Sequence, residues 1–205
     1  MASKNKYIGD VSLEKMLEHY ECKAPLHLIK MRFIGGICSF SEELKPADII
    51  ASFWEIGKEP RLETKSEADL FFKFFMGLWF KQFDKVKKNE VKLKSFLRLE
   101  SAESISLCLQ TRLEEIEYGF IEGFWGGKND VKMPSFVAEL IDSLSDISKF
   151  YGKLLKNIKD DISDEDKEAI IKSISQADAM FNKAVNNLIE HVVIPRMSVI
   201  VEKSN

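Results

Sequence analysis

Apolar residues recur at a three-and-four spacing along nearly the whole chain, and this period limits most narrowly what it can become. Val137, Leu140, Ile141, Leu144, Ile147, Tyr151, Leu154, Leu155 and Ile158 fall on one helical stripe. A second stripe runs from Ile170 through Ile174, Ala177, Phe181, Val185 and Leu188 to Val192. A third carries Ile105, Cys108, Leu109, Leu113, Ile116, Phe120, Ile121 and Phe124. Repetition at i, i+3, i+4 and i+7 gathers side chains on one face of an α-helix. Strand-like alternation occurs only briefly, where Val91 and Leu93 sit among lysines. The predicted class is all-α, with about seven helices in a bundle or in stacked helical hairpins. No repeat of fixed period is present.

Punctuation sets the expected boundaries. A first helix covers 10–22, and Pro25 suits the first position of a second that runs to about Phe40 through the pair Gly35-Gly36. Pro46 opens a short third helix, for which Gly57 is the expected left-handed end. Ser66 to Asp69 reads as a capping box for the next helix. Its segment 70–86 is so rich in Phe that it is expected to be the central, most enclosed helix. Residues 87–99 read as a loop or helix extension. Gly126-Gly127 is expected to end the helix from Glu103, Pro134 to open the next, Ser163 to cap the last, and Pro195 to stop it. The 205 residues fit one helical domain, 1–205, with its weakest internal boundary near 87–98 and a short tail at 195–205 that docks or frays.

Charge and cysteines narrow the class further. Net charge is −3, which argues against general nucleic-acid affinity, since that rests on an excess of Lys and Arg. Residues 81–98 nevertheless hold seven basic and two acidic side chains, and 160–168 hold six acids and one Lys. A basic connector and an acidic helix start explain both. The uncharged aromatic run Phe74–Phe80 is far short of the ~20 residues of a membrane span. Cys22, Cys38 and Cys108 are an odd, low number, as expected of free thiols in a reducing cytoplasm. The start MASKNKYIGDVS has no apolar signal region, so cytoplasmic residence is expected.

Catalytic signatures are missing. Gly127-Lys128 is followed by Asn129, and the first Gly of a phosphate loop is replaced by Glu122. Neither a dinucleotide turn nor a nucleophile elbow occurs. No Glu has a His three residues on, as a di-iron bundle requires. His19, Cys22, His27 and Cys38 have zinc-like chemistry but not the spacing of a finger or ribbon. Glu114, Glu115, Glu117 and Glu122 read as a solvated helix face. No catalytic, cofactor-binding or metal-ligating residue is therefore assigned. Gly119 and Gly123, four apart, predict a close approach of another helix, with the one bearing Phe74 and Trp79 as the expected neighbour.

Three stretches, taken in order, carry a resemblance. They are 26–83, with Phe33-Ile34-Gly35-Gly36 and then Pro46 to Trp54 and Gly57; Gly119-Phe120-Ile121-Glu122-Gly123; and the late helix from Asp166 to Val192. Together they resemble the YecA/YgfB family of bacterial helical proteins. Tyr118 stands where that family often has Trp, and no Cys follows Cys108, so the zinc-binding tail of some members does not carry over. The resemblance implies an all-α fold without known chemistry that acts through protein contacts, with an unknown protein or a second copy as partner. The expected function is thus non-enzymatic, without a cofactor. The alternative is a small-molecule binder or enzyme with an interhelical pocket lined by Phe71, Phe74, Phe75 and Trp79.

Overall fold

The computed structural model describes residues 7–41, 44–96, 98–128, 131–158 and 162–197. Among them the chain is all-α, with no strand. The elements are α1 (Asp10–His19), α2 (Leu26–Cys38), α3 (Pro46–Ala51), α4 (Lys65–Lys87), α5 (Ala102–Leu113), α6 (Glu122–Trp125), α7 (Ser135–Asn157) and α8 (Asp164–Leu188). Two π-helical stretches continue them, π1 (Glu114–Ile121) between α5 and α6 and π2 (Ile189–Val193) after α8. Taking α5, π1 and α6 as one rod, the described residues form seven helices.

The apolar side chains form two cores, and α2 belongs to both. On one side of α2, Ile29 and Phe33 pack with Leu13 and Leu17 of α1, Ile49 and Ile50 of α3, and Phe71, Phe75 and Leu78 of α4. On the other, Met31, Ile34 and Ile37 pack with the rod and with the inner stripes of α7 and α8. Ten of the thirteen residues of α2 are buried, against six of the twenty-three of α4. The expectation that the Phe-rich helix is central is therefore corrected. Aromatic density records how much apolar surface a helix carries, not how many neighbours it has. In α4, Leu70 is 56% exposed and Phe72 and Phe80 are 42% and 43% exposed.

Glycine makes the central position of α2 attainable. A Cβ on Gly35 would stand 2.1 Å from the carbonyl oxygen of Phe120, and one on Gly123 would stand 2.2 Å from that of Arg32. A Cβ on Gly119 would reach the Cβ of Met31 at 2.8 Å. Backbone thus touches backbone where α2 crosses π1 and α6, in the manner of small-residue helix crossings. The close approach expected at Gly119 and Gly123 is present, but its neighbour is α2 rather than the helix bearing Phe74 and Trp79.

Local chemistry explains the ends, with several corrections. The helix α4 starts at Lys65, and its cap is Thr64, whose Oγ1 accepts the Glu67 N–H at 3.1 Å. Glu67 returns a carboxylate oxygen to the Glu63 N–H at 2.8 Å, so the capping residue lies two places before Ser66. Gly57 has a positive φ of 81°, but it sits in a turn beyond α3, whose cap is Ser52. Ser163 caps α8 by accepting the Asp166 N–H at 3.1 Å, and Gly126, at φ 57°, ends the rod as expected. Pro195 does not stop the last helix, which continues helical through 194–197. The looser i→i+5 winding of π2 lies just before the ring, where an α-helical carbonyl four residues back would clash with it.

After a turn at 88–89, residues 90–96 form a strap with neither helix nor strand, the loop of the two readings rather than the helix extension. Val91 and Leu93 are buried in the second core, and the Leu93 N–H donates to Asn182 Oδ1 at 2.8 Å. Of the tail, Arg196 docks, donating to the Ser39 carbonyl at 2.8 Å with its guanidinium 4.5 Å from the Phe40 ring centre. Positions 198–205 lie outside the described residues.

Candidate functional site

Three features stand out: an enclosed polar centre, a cleft beside the glycine crossing, and the outer face of α4. The polar centre is built on Arg112, which is 1% exposed. Its Nε and Nη2 donate to both oxygens of Asp178, at 2.7 and 2.6 Å, and Nη1 donates to Glu115 at 2.6 Å. Nη2 also donates to the Lys94 carbonyl at 2.6 Å, and the guanidinium lies 4.9 Å from the Phe96 ring centre. Tyr151 adds its hydroxyl to Asp178 at 2.6 Å. The strap, the rod, α7 and α8 thus meet at one cation. Burial pushes the Glu115 carboxyl above the ordinary range, against the opposing pull of Arg112. Burial and the bond to Asp178 likewise push the Tyr151 phenol up. Buried and bonded from four elements at once, this centre is a clamp.

The cleft has a volume of about 780 Å³ and lies between α2–α3 and π1–α6. Its walls include Arg32, Asp48, Ser52, Glu117, Glu122 and Trp125. Arg32 makes five hydrogen bonds with its five donors. Nε and Nη2 reach the Tyr118 carbonyl, Nη1 reaches the Ser52 carbonyl and hydroxyl, and Nη2 also reaches Glu122. It braces α3 and the rod against α2 and keeps no donor for a ligand. Burial draws its pKa down, and Glu122 opposes that shift. On the same rod, Glu114 meets His27 across the crossing at 2.6 Å.

The reading of Glu114, Glu115, Glu117 and Glu122 as a solvated face is therefore corrected. Three of the four bind a cationic or imidazole partner on or against the rod. Two of those partners, His27 and Arg32, are more than 80 residues away, which no local pattern reveals.

His19, Cys22, His27 and Cys38, to which no metal role is assigned, do not come together as a metal site. Among the described residues no group of three or more His, Cys, Asp or Glu side chains is placed to hold a metal ion. Cys38 and Cys108 are buried free thiols, pushed up by burial to about 12 and about 11, and Cys22 points at the Phe53 carbonyl. Nor do Phe71, Phe74, Phe75 and Trp79 line one pocket. Phe75 is fully buried against Phe53 and Phe33, and Trp79 packs edge-on to Phe33 at 5.4 Å. Phe71 and Phe74 border a shallower groove of about 550 Å³ between α1 and α4, with Met16, Tyr20 and Leu70.

The outer face of α4 carries Phe72, Met76 and Phe80, at i, i+4 and i+8, while Trp79 and Phe83 pack against the cores. Phe72 and Phe80 are exposed, and Met76 is half-buried. The inner face uses Phe71, Phe75, Leu78, Gln82 and Val86 instead. No helix among the described residues is long and apolar enough to cross a membrane. No protein-family model, curated protein or solved structure matches the chain.

Proposed function

We propose that the chain is a non-enzymatic cytoplasmic protein that acts through protein contact, and that the outer face of α4 is its contact surface. The observation that carries this reading is the apolar stripe Phe72–Met76–Phe80, set on the side of α4 turned away from the core. Contiguous exposed apolar patches of this kind mark interaction sites. The resemblance to the YecA/YgfB family supports the same reading.

The occupant we assign is a second copy of the chain. Asp69 and Lys87 are exposed and eighteen residues apart, about five helical turns, so they share one flank of the stripe. A two-fold axis near the level of residue 78 pairs α4 antiparallel with itself. Asp69 then faces the partner's Lys87 twice over, and Met76 faces the partner's Phe80, also twice. Isologous contacts of this form are the commonest in soluble oligomers.

Light scattering across a concentration series tests the proposal. A dimer is expected for the native chain and a folded monomer for Phe72→Glu/Phe80→Glu. Asp69→Lys should weaken the dimer, and adding Lys87→Asp should restore it. A native chain that stays monomeric would contradict self-association through α4 and leave the face to a different protein.

A further inference from the structure

The cleft beside the glycine crossing is a second feature, independent of the α4 face. Its charge follows from its bonds. Arg32 lines it but is saturated, and its charge is matched by Glu122. Asp48 uses one carboxylate oxygen on the Lys45 N–H at 2.9 Å and is otherwise exposed. Glu117 is half-buried and makes no hydrogen bond or ion pair with any described residue. Lys128 also lines the cleft and has an interaction of its own. The rod also ends here, at Trp125 and Gly126, so the negative end of its dipole faces the same volume.

The π1 winding gathers these groups. Glu117 and Glu122 are five residues apart, which in an α-helix would turn them about 140° away from each other. In π1 the Glu122 N–H bonds the Glu117 carbonyl, five residues back, and this looser winding brings both carboxylates to the cleft. Apolar wall comes from Leu44, Ile49, Ile121 and Trp125. The indole suits a cation, since its face attracts positive charge.

We infer that this cleft binds an organic cation: an ammonium or guanidinium group on a short apolar stem, with Glu117 as its principal anion. The stem would lie along Trp125 and Ile121. An anionic ligand is disfavoured, because the three carboxylates of Asp48, Glu117 and Glu122 outnumber the two cations in the wall, and the guanidinium has no donor left for it. The same chemistry is offered by a free amine and by a Lys or Arg side chain of a peptide.

Titration calorimetry of the full chain with agmatine, and in a second arm with N-acetyl-arginine methylamide, tests the inference. Saturable binding of one equivalent is expected, with a change in tryptophan fluorescence. Glu117→Gln should weaken it by about tenfold, as loss of a charge-assisted bond does, whereas Glu139→Gln on the exposed face of α7 should not. Tighter binding of the methylamide assigns the site to a peptide side chain, and tighter binding of agmatine to a free amine. Displacement of agmatine by inorganic phosphate would overturn the inference. So would equal affinity in Glu117→Gln, or no saturable binding of either probe up to about 10 mM.

Discussion

At the scale of single residues, the two buried arginines do different work. Arg32 caps carbonyls from two other elements, and Arg112 balances two carboxylates inside the second core. Neither role was legible in the sequence, since Arg32 reads as a polar interruption of an apolar helix and Arg112 as part of a charged rod surface. Their partners are set by the crossing of helices. The Glu115 carboxyl carries a testable pH signature. Its pKa is raised in the folded chain, chiefly by burial, so the folded state holds a proton that the unfolded chain releases near pH 4.3. The stability this contributes is complete below that pH and is lost as pH rises through the raised value. Glu115→Gln cannot ionise and still offers an oxygen to Arg112. Urea melts from pH 4 to 8 should therefore show the variant gaining on the native protein as pH rises through this window. A pH-independent difference would show that Glu115 titrates normally.

At the scale of helices, periodicity told which segments are helical and which faces are apolar. The stripes of α7 and α8 and the ends at Pro134, Ser163 and Gly126 were read directly. It did not tell which helix is central. The segment α4 has the most aromatic residues but puts several outside, whereas α2 gains its enclosure from what it lacks, a side chain at Gly35. The π stretches were not foreseen either, because an i→i+5 ladder leaves no compositional mark. The cleft shares that fate: Glu117 and Glu122 face it together only once π1 has formed. Within α4 the two faces should differ sharply. Phe75→Ala should cost about 3–5 kcal/mol, as loss of a fully buried ring does, and Phe80→Ser on the monomer should stay within about 0.5 kcal/mol. Denaturant midpoints check this. Similar losses for both would mean that the outer face is covered within one chain.

At the scale of the whole molecule, the two cores share α2, and α4 also sends Val86 into the second, so neither can lose its packing without disturbing the other. This predicts a single cooperative transition, with amides on both sides of α2 exchanging together. The central claim is that the molecule is organised by the backbone contact between α2 and the rod. The most direct measurement compares Gly35→Ala with Gly36→Ala by urea denaturation. These neighbours have the same helix propensity, and Ala alone would favour each by about 1 kcal/mol. Gly35 faces the Phe120 carbonyl, which cannot yield, while the nearest atom to a Cβ on Gly36 is the mobile Cδ1 of Ile49, at 2.1 Å. Gly35→Ala should lose about 3 kcal/mol or more, at the upper end of overpacking, and Gly36→Ala should stay within about 1 kcal/mol of the native chain. If Gly35→Ala melts at or above the native midpoint, the helices are not in backbone contact there, and the account of how this chain is held together is wrong.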